Sequence, residues 1–190
     1  MSSRKGNVIT GESLIADVIE KAKEKMKERE GVDVESVSEQ IAVAAIKYMV
    51  LKQKMGKNIV FDAEKSLSLE GDSGPYLQYA FVRARSILKK AHAEGVVSST
   101  QKPLSEITSL EKILYRYPEI VADAYTFSAP QIVVTYLTDL ASTFNSWYAN
   151  EKVVDTSDKR SPYKVALTES FVEIMAQGLT LLAIPQPEAM

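Results

Sequence analysis

Gly71-Asp72-Ser73-Gly74-Pro75-Tyr76-Leu77-Gln78-Tyr79-Ala80 carries the densest turn signal of the chain and runs straight into a helix. Glycines supply the backbone freedom of a tight turn. Proline suits the first helical position, where its missing N–H would have no partner anyway. From Pro75 the apolar residues Leu77, Phe81, Ala84, Leu88 and Ala91 recur at helical spacing, and Gly95 ends the run. Arg83, Arg85, Lys89 and Lys90 give the same helix a cationic face, as snorkelling side chains on any amphipathic helix also would. All seven prolines lie at Pro75 or later, whereas glycines punctuate the first part. A boundary is therefore placed between residues 73 and 74, giving units 1–73 and 74–190.

Outward from that turn the apolar spacing is helical nearly everywhere. Leu14, Ile15, Val18, Ile19, Ala22 and Met26 share one face, Lys and Glu alternate on the other, and Gly31 is the expected stop. Ser36 followed by Glu39 has the capping-box pattern, predicting a second helix through Ile41, Ala45, Tyr48, Met49 and Lys52. Asn58-Ile59-Val60-Phe61-Asp62 is short, β-branched and alternating, and predicts a strand. Downstream, Val96–Pro103 reads as a linker. Ile107, Leu110, Ile113 and Leu114 then mark a helix, and Pro118 opens a short one. Pro130 opens a long helix with Val133, Tyr136, Leu137, Leu140, Ala141, Phe144 and Tyr148 on its face. Residues 152–162 are charged and irregular, and a last helix carries Val165, Leu167, Phe171, Ile174, Met175, Leu179 and Leu182. Faces this broad need neighbours, so the fold class is mainly α, a helical bundle.

Composition excludes much. No Cys is present, so disulfides, iron–sulfur clusters and thiol nucleophiles are out. The single His92 rules out any motif that needs two histidines. No apolar run approaches the roughly 20 residues of a membrane span, and no signal-peptide core is present, so a cytoplasmic location is expected. With 23 Lys+Arg against 25 Asp+Glu the net charge is −2, which gives no charge-driven affinity for nucleic acid.

Two further stretches carry chemistry. Met1-Ser2-Ser3-Arg4-Lys5-Gly6-Asn7-Val8 is a Ser/Gly segment with adjacent cations, able to close over a polyphosphate or simply to fray. Tyr136-Leu137 through Phe144-Asn145-Ser146-Trp147-Tyr148 places rings at helical spacing. Such rings are core residues by default, yet rings beside amides and cations also suit unstacked RNA bases.

All three stretches, in this order, resemble arginyl-tRNA synthetases. Met1-Ser2-Ser3-Arg4-Lys5-Gly6-Asn7 is similar to that family's KMSKS-type loop. Phe61-Asp62, then Gly71 to Ala80 and Arg83, is similar to its Gly-Asp-Thr-Gly-Pro-Tyr-Leu-Gln-Tyr-Ala segment. Tyr136-Leu137, Asp139-Leu140-Ala141 and Phe144-Asn145 match its anticodon-binding domain. So do Gly178-Leu179, Leu181-Leu182, Ile184 and the closing Pro187-Glu188-Ala189-Met190.

The resemblance implies a class I synthetase bundle for 74–190, preceded by the α-rich end of the catalytic domain. The parent would attach arginine to its tRNA with ATP and Mg²⁺, Arg4 and Lys5 meeting the ATP phosphates. With one histidine the chain cannot supply the family's His-x-Gly-His signature. It is therefore expected to be a C-terminal portion, inactive alone, with no cofactor and no metal of its own. Its partners would be the anticodon arm of arginine tRNA and the N-terminal and Rossmann domains of the same enzyme; no membrane partner and a monomeric state are expected. Tyr136, Asn145, Trp147, Tyr148 and Met190 are the expected base contacts, the central anticodon cytosine being the main target. Lys152, Lys159, Arg160 and Lys164 are the expected phosphate partners, while Arg83, Arg85, Lys89 and Lys90 face the tRNA limb or solvent. Ser3, Lys164, Ala183 and Ala189 depart from the family pattern. The rival reading is a stand-alone helical module that binds tRNA or protein without catalysis.

Overall fold

The computed structural model describes residues 10–27, 31–101 and 103–190. Within them lie α1 (Gly11–Met26), α2 (Val34–Leu51), the single turn α3 (Ala63–Ser66), α4 (Gly74–Ala93), α5 (Ser109–Tyr115), α6 (Tyr117–Thr126), α7 (Pro130–Asn150) and α8 (Ser161–Leu181). Arg4 and Lys5 fall outside the described residues.

The helix starts follow local chemistry. Asp33, rather than Ser36, caps α2: its carboxylate accepts the Ser36 N–H at 3.2 Å, so Ser36 already lies in the first turn. The capping box that forms is one the apolar pattern did not single out. Thr108 Oγ1 accepts from the Glu111 N–H at 3.2 Å, and Glu111 Oε2 accepts from the Thr108 N–H at 2.7 Å. Ser73 caps α4 by accepting the Tyr76 N–H at 3.1 Å, with Pro75 in the first turn as expected. α4 ends at a left-handed Gly95 (φ +71°), where the Val96 N–H reaches back to the Ala91 carbonyl at 2.9 Å. The expected strand over 58–62 does not form; among the described residues there is no strand at all. Val60 is 80% exposed and Ile59 45%, so the alternating pattern faces neither a core nor a pairing partner.

Two cores share α2. The larger gathers Ala44 and Tyr48 of α2 with Leu77, Phe81 and Ala84 of α4, and with α5 to α8. The smaller joins Val18, Ala22 and Met26 of α1 to Val37, Ile41, Ala42 and Ala45 of α2, with Leu67. Gly74 sets the α2–α4 approach, because a Cβ there would overlap the Ala44 carbonyl. The joint is then tied by polar groups. Gln78, wholly buried on α4, donates to the Gln40 carbonyl of α2 at 3.2 Å and to the Pro185 carbonyl of the C-terminal tail at 2.8 Å. Lys47 of α2 donates to the Ala183 carbonyl. Tyr48 donates to Asp72 Oδ1 at 2.9 Å and lies 2.8 Å from Thr138 Oγ1, joining α2, the turn before α4, and α7. Burial, and then the Asp72 carboxylate, push the Tyr48 phenol well above its usual range, against the opposing bond with Thr138.

Candidate nucleic-acid interface

α4 and α7 meet along a half-buried polar seam. On α4, Tyr79 and Arg83 stand one turn apart, so the guanidinium lies over the Tyr79 ring, 4.6 Å from its centroid. Arg83 also donates to Tyr79 OH at 2.8 Å and, across to α7, to Asn145 Oδ1 at 3.0 Å. A guanidinium can only donate, which fixes the Asn145 amide: its oxygen faces Arg83 and its nitrogen donates to Tyr76 OH at 3.1 Å. Both phenol oxygens therefore accept a bond and keep their own protons to offer. The seam presents a pre-set row of donors beside an aromatic–guanidinium stack, chemistry suited to phosphate oxygens or to the acceptor edge of a base.

Of the residues expected to meet RNA, Asn145 sits in this seam, and Tyr148 is on the same helix three residues on. Tyr148 is 37% exposed, with its ring parallel to Phe144 (centroids 6.2 Å apart). Trp147 points to another side of α7, half-buried on Phe144 at 5.9 Å, and its indole N–H is buried without a partner among the described residues. Met190 is half-buried and touches both cores.

Two expectations are corrected by burial. Tyr136 is 5% exposed, and its hydroxyl donates to the Ile113 carbonyl at 3.0 Å while its ring packs on Tyr117. Its burial raises the phenol pKa well above the usual range. Lys164 is 4% exposed and is ion-paired to Glu151 at 2.7 Å and Asp158 at 3.1 Å. Its ammonium thus organises the segment 151–160 from inside instead of meeting phosphate. Burial alone would lower its pKa, but Glu151 and then Asp158 outweigh that, and the pKa is raised. The same segment is pinned by Ser161, which donates to the Val153 carbonyl at 2.6 Å and accepts from the Asp155 N–H at 2.9 Å. Lys152, Lys159 and Arg160 stay exposed on it. Lys152 pairs with Asp155 at 2.9 Å, and Arg160 lies 3.4 Å from Asp158.

Tyr76 and Tyr79 stand in the turn-and-helix stretch without an expected RNA contact, and Arg83 is expected on a face separate from Asn145. The aromatic-to-arginine spacing of one turn between Tyr79 and Arg83 was the signal available. The partnership with Asn145, 62 residues away, had none. Among the described residues there is no group of three or more Asp, Glu or His side chains that could hold a metal ion.

Residues 77–190 match the model of the DALR anticodon binding domain. Along its whole length the chain is 32% identical to arginine–tRNA ligase 2 of Bacillus anthracis, covering 34% of that protein. Among solved structures it is similar to the arginyl-tRNA synthetase of Thermus thermophilus, with a TM-score of 0.82 and 31% identity over 97% of this chain and 33% of that one. The arginyl-tRNA synthetase of Plasmodium falciparum gives 0.80 and 25% identity over 96% of this chain and 34% of that one. The chain spans about a third of the length of the curated relatives it matches.

Proposed function

Because the chain belongs to the DALR anticodon binding domain family through residues 77–190, we propose that it grips the anticodon arm of an arginine tRNA, as part of an enzyme that joins arginine to that tRNA using ATP and Mg²⁺. The α4–α7 seam carries this reading. Its free phenolic protons and the spare guanidinium N–H groups of Arg83 face an incoming strand as donors. Cytosine, whose O2 and N3 are adjacent acceptors, is a base such a row can select. Tyr148 adds a partly exposed ring, and Lys152, Lys159 and Arg160 supply cations along the neighbouring segment. Tyr136 and Lys164 act from inside, the first by holding α5 against α7 and the second by shaping 151–160. Residues 74–190 form the anticodon-binding unit in this proposal, and Arg4 and Lys5 belong to the ATP-binding machinery of the larger enzyme.

Binding of an arginine tRNA, measured by filter retention with and without a substituted central anticodon base, tests the proposal. Weaker binding of the substituted tRNA is expected, and the discrimination should shrink in Arg83→Ala. Equal retention of both tRNAs would sink it. The net charge of −2 supplies little phosphate attraction, so the 190 residues alone are expected to bind far more weakly than a full-length relative. ATP–pyrophosphate exchange by the 190 residues alone is expected to be blank, and activity there would overturn the division of labour.

A further inference from the structure

A second cleft, of about 560 Å³, opens on a different side of α7 and is not absorbed by the seam. Its floor is apolar, made by Ile113, Ile120, Ile132 and the buried ring of Tyr136. Its rim carries Phe127, 68% exposed, with Arg116 at the α5–α6 corner and Lys54 from the turn after α2. Gln131, Thr135 and Asp139 line it from α7.

Phe127 is held outward by the way α6 ends. Ser128 takes the left-handed conformation (φ +48°) without being glycine, the Ser128 N–H bonds the Tyr125 carbonyl at 3.1 Å, and the Ala129 N–H bonds the Ala124 carbonyl at 2.9 Å. The chain therefore turns into α7 and leaves the ring above the cleft. Among the described residues the one ion pair of Arg116 is with Glu119, at 3.9 Å, and neither Lys54 nor Asp139 takes part in one. A ring that can stack, two cations and one exposed carboxylate line this one cleft, and between them they can take a base and a phosphate. The carboxylate accepts only, so it selects a base edge rich in donors, and guanine alone presents two adjacent ones, N1–H and N2–H₂.

We propose that this cleft is a second nucleotide site, taking an unpaired guanine nucleotide with its base against Phe127 and Asp139 and its phosphate toward Arg116 and Lys54. It stands whether or not the α4–α7 seam reads the anticodon.

The test titrates the 190-residue chain, labelled at its isoleucine methyls, with 5′-GMP, with the RNA pentamer UUGUU and with UUUUU. Ile113, Ile120 and Ile132 report the cleft from its floor, so the outcome is independent of tRNA retention at the seam. UUGUU is expected to shift these methyls saturably, and UUUUU to leave them in place. Phe127→Ala should weaken binding about tenfold, the range of one lost base stack, and Phe127→Tyr should restore it. Arg116→Glu should weaken it as well, and Asp139→Asn should erase the preference for UUGUU. Tighter binding of the pentamer than of 5′-GMP assigns the site to an RNA strand, and equal binding assigns it to the free nucleotide. Absent shifts, an equal response to UUUUU, or indifference to Phe127→Ala would overturn the proposal.

Discussion

Gln78 donates to the Pro185 carbonyl at 2.8 Å, and this bond fastens the C-terminal tail to the second turn of α4. The same amide reaches the Gln40 carbonyl of α2 at 3.2 Å. Gln78→Ala removes both bonds, opens a cavity in a wholly buried site, and strands the Pro185 carbonyl. A loss of about 2–3 kcal/mol is expected. Urea denaturation measures it, and faster amide exchange over residues 183–190 should accompany it. An unchanged midpoint would show that the bond contributes nothing net.

Gly74 offers a sharper case. The space a methyl would need is occupied by the Ala44 carbonyl, which is backbone and cannot rotate aside. Gly74→Ala should therefore separate α2 from α4, at a cost of about 3 kcal/mol or more. A melting temperature within a degree of the parent chain would contradict this packing.

The segment 151–160 should have its own pH window. Lys164 has a folded pKa above its ordinary 10.5, so its contribution is complete below that value and is lost only as pH rises through the higher folded one. Asp158 is held below its ordinary 3.8 by the Arg160 N–H and then by Lys164, and Asp155 by the Ser157 hydroxyl and then Lys152. Their contributions are complete above 3.8 and vanish as pH falls through the lower folded values. Amide shifts of 151–160 should thus stay constant from about pH 5 to 9 and move only outside that range. A transition at neutral pH would contradict the ion-pair arrangement. Lys164→Met leaves Glu151 without its partner and Asp158 with Arg160 alone, and should cost about 2–3 kcal/mol, at the low end because both acids keep some water.

Trp147 and Asn145 should separate cleanly. Trp147→Ala strips a ring from the Phe144 side of the core and should cost about 3 kcal/mol. Asn145→Ala sits in a half-buried seam, should leave helical content intact by circular dichroism, and should weaken tRNA retention about tenfold, the low end for one charge-assisted hydrogen bond. The reverse pattern would exchange their roles.

Helix content was legible in the sequence because each apolar stripe spans several turns, and the Gly71–Pro75 turn feeds α4 as its residues require. The Asn58–Asp62 alternation misled, since alternation specifies a strand only where a sheet exists to receive it. The start of α2 was misplaced because Asp33 and Ser36 are both good caps, and only the fold selects between them. Site residues were legible as types more than as positions. Tyr136 and Lys164 share their composition with surface contacts, and nothing local reveals that neighbouring helices close over them. Asn145 stands out in the sequence as an amide beside rings, but the arginine and tyrosine that orient it lie on another helix, beyond any sequence spacing.

The two cores share α2, and they do so unequally. The larger draws on six helices, whereas among the described residues the smaller core sets α1 against one long helix, α2, with Leu67 beside it. Amide exchange should accordingly be graded. α1 opens alone as a low-energy excursion while α2 stays protected, because α2 remains clamped to α4 through Gly74 and Gln78 and to α7 through Tyr48. The molecule would then behave as a stiff block carrying one detachable helix, so a ligand or neighbouring domain could capture α1 without disturbing the seam between α4 and α7.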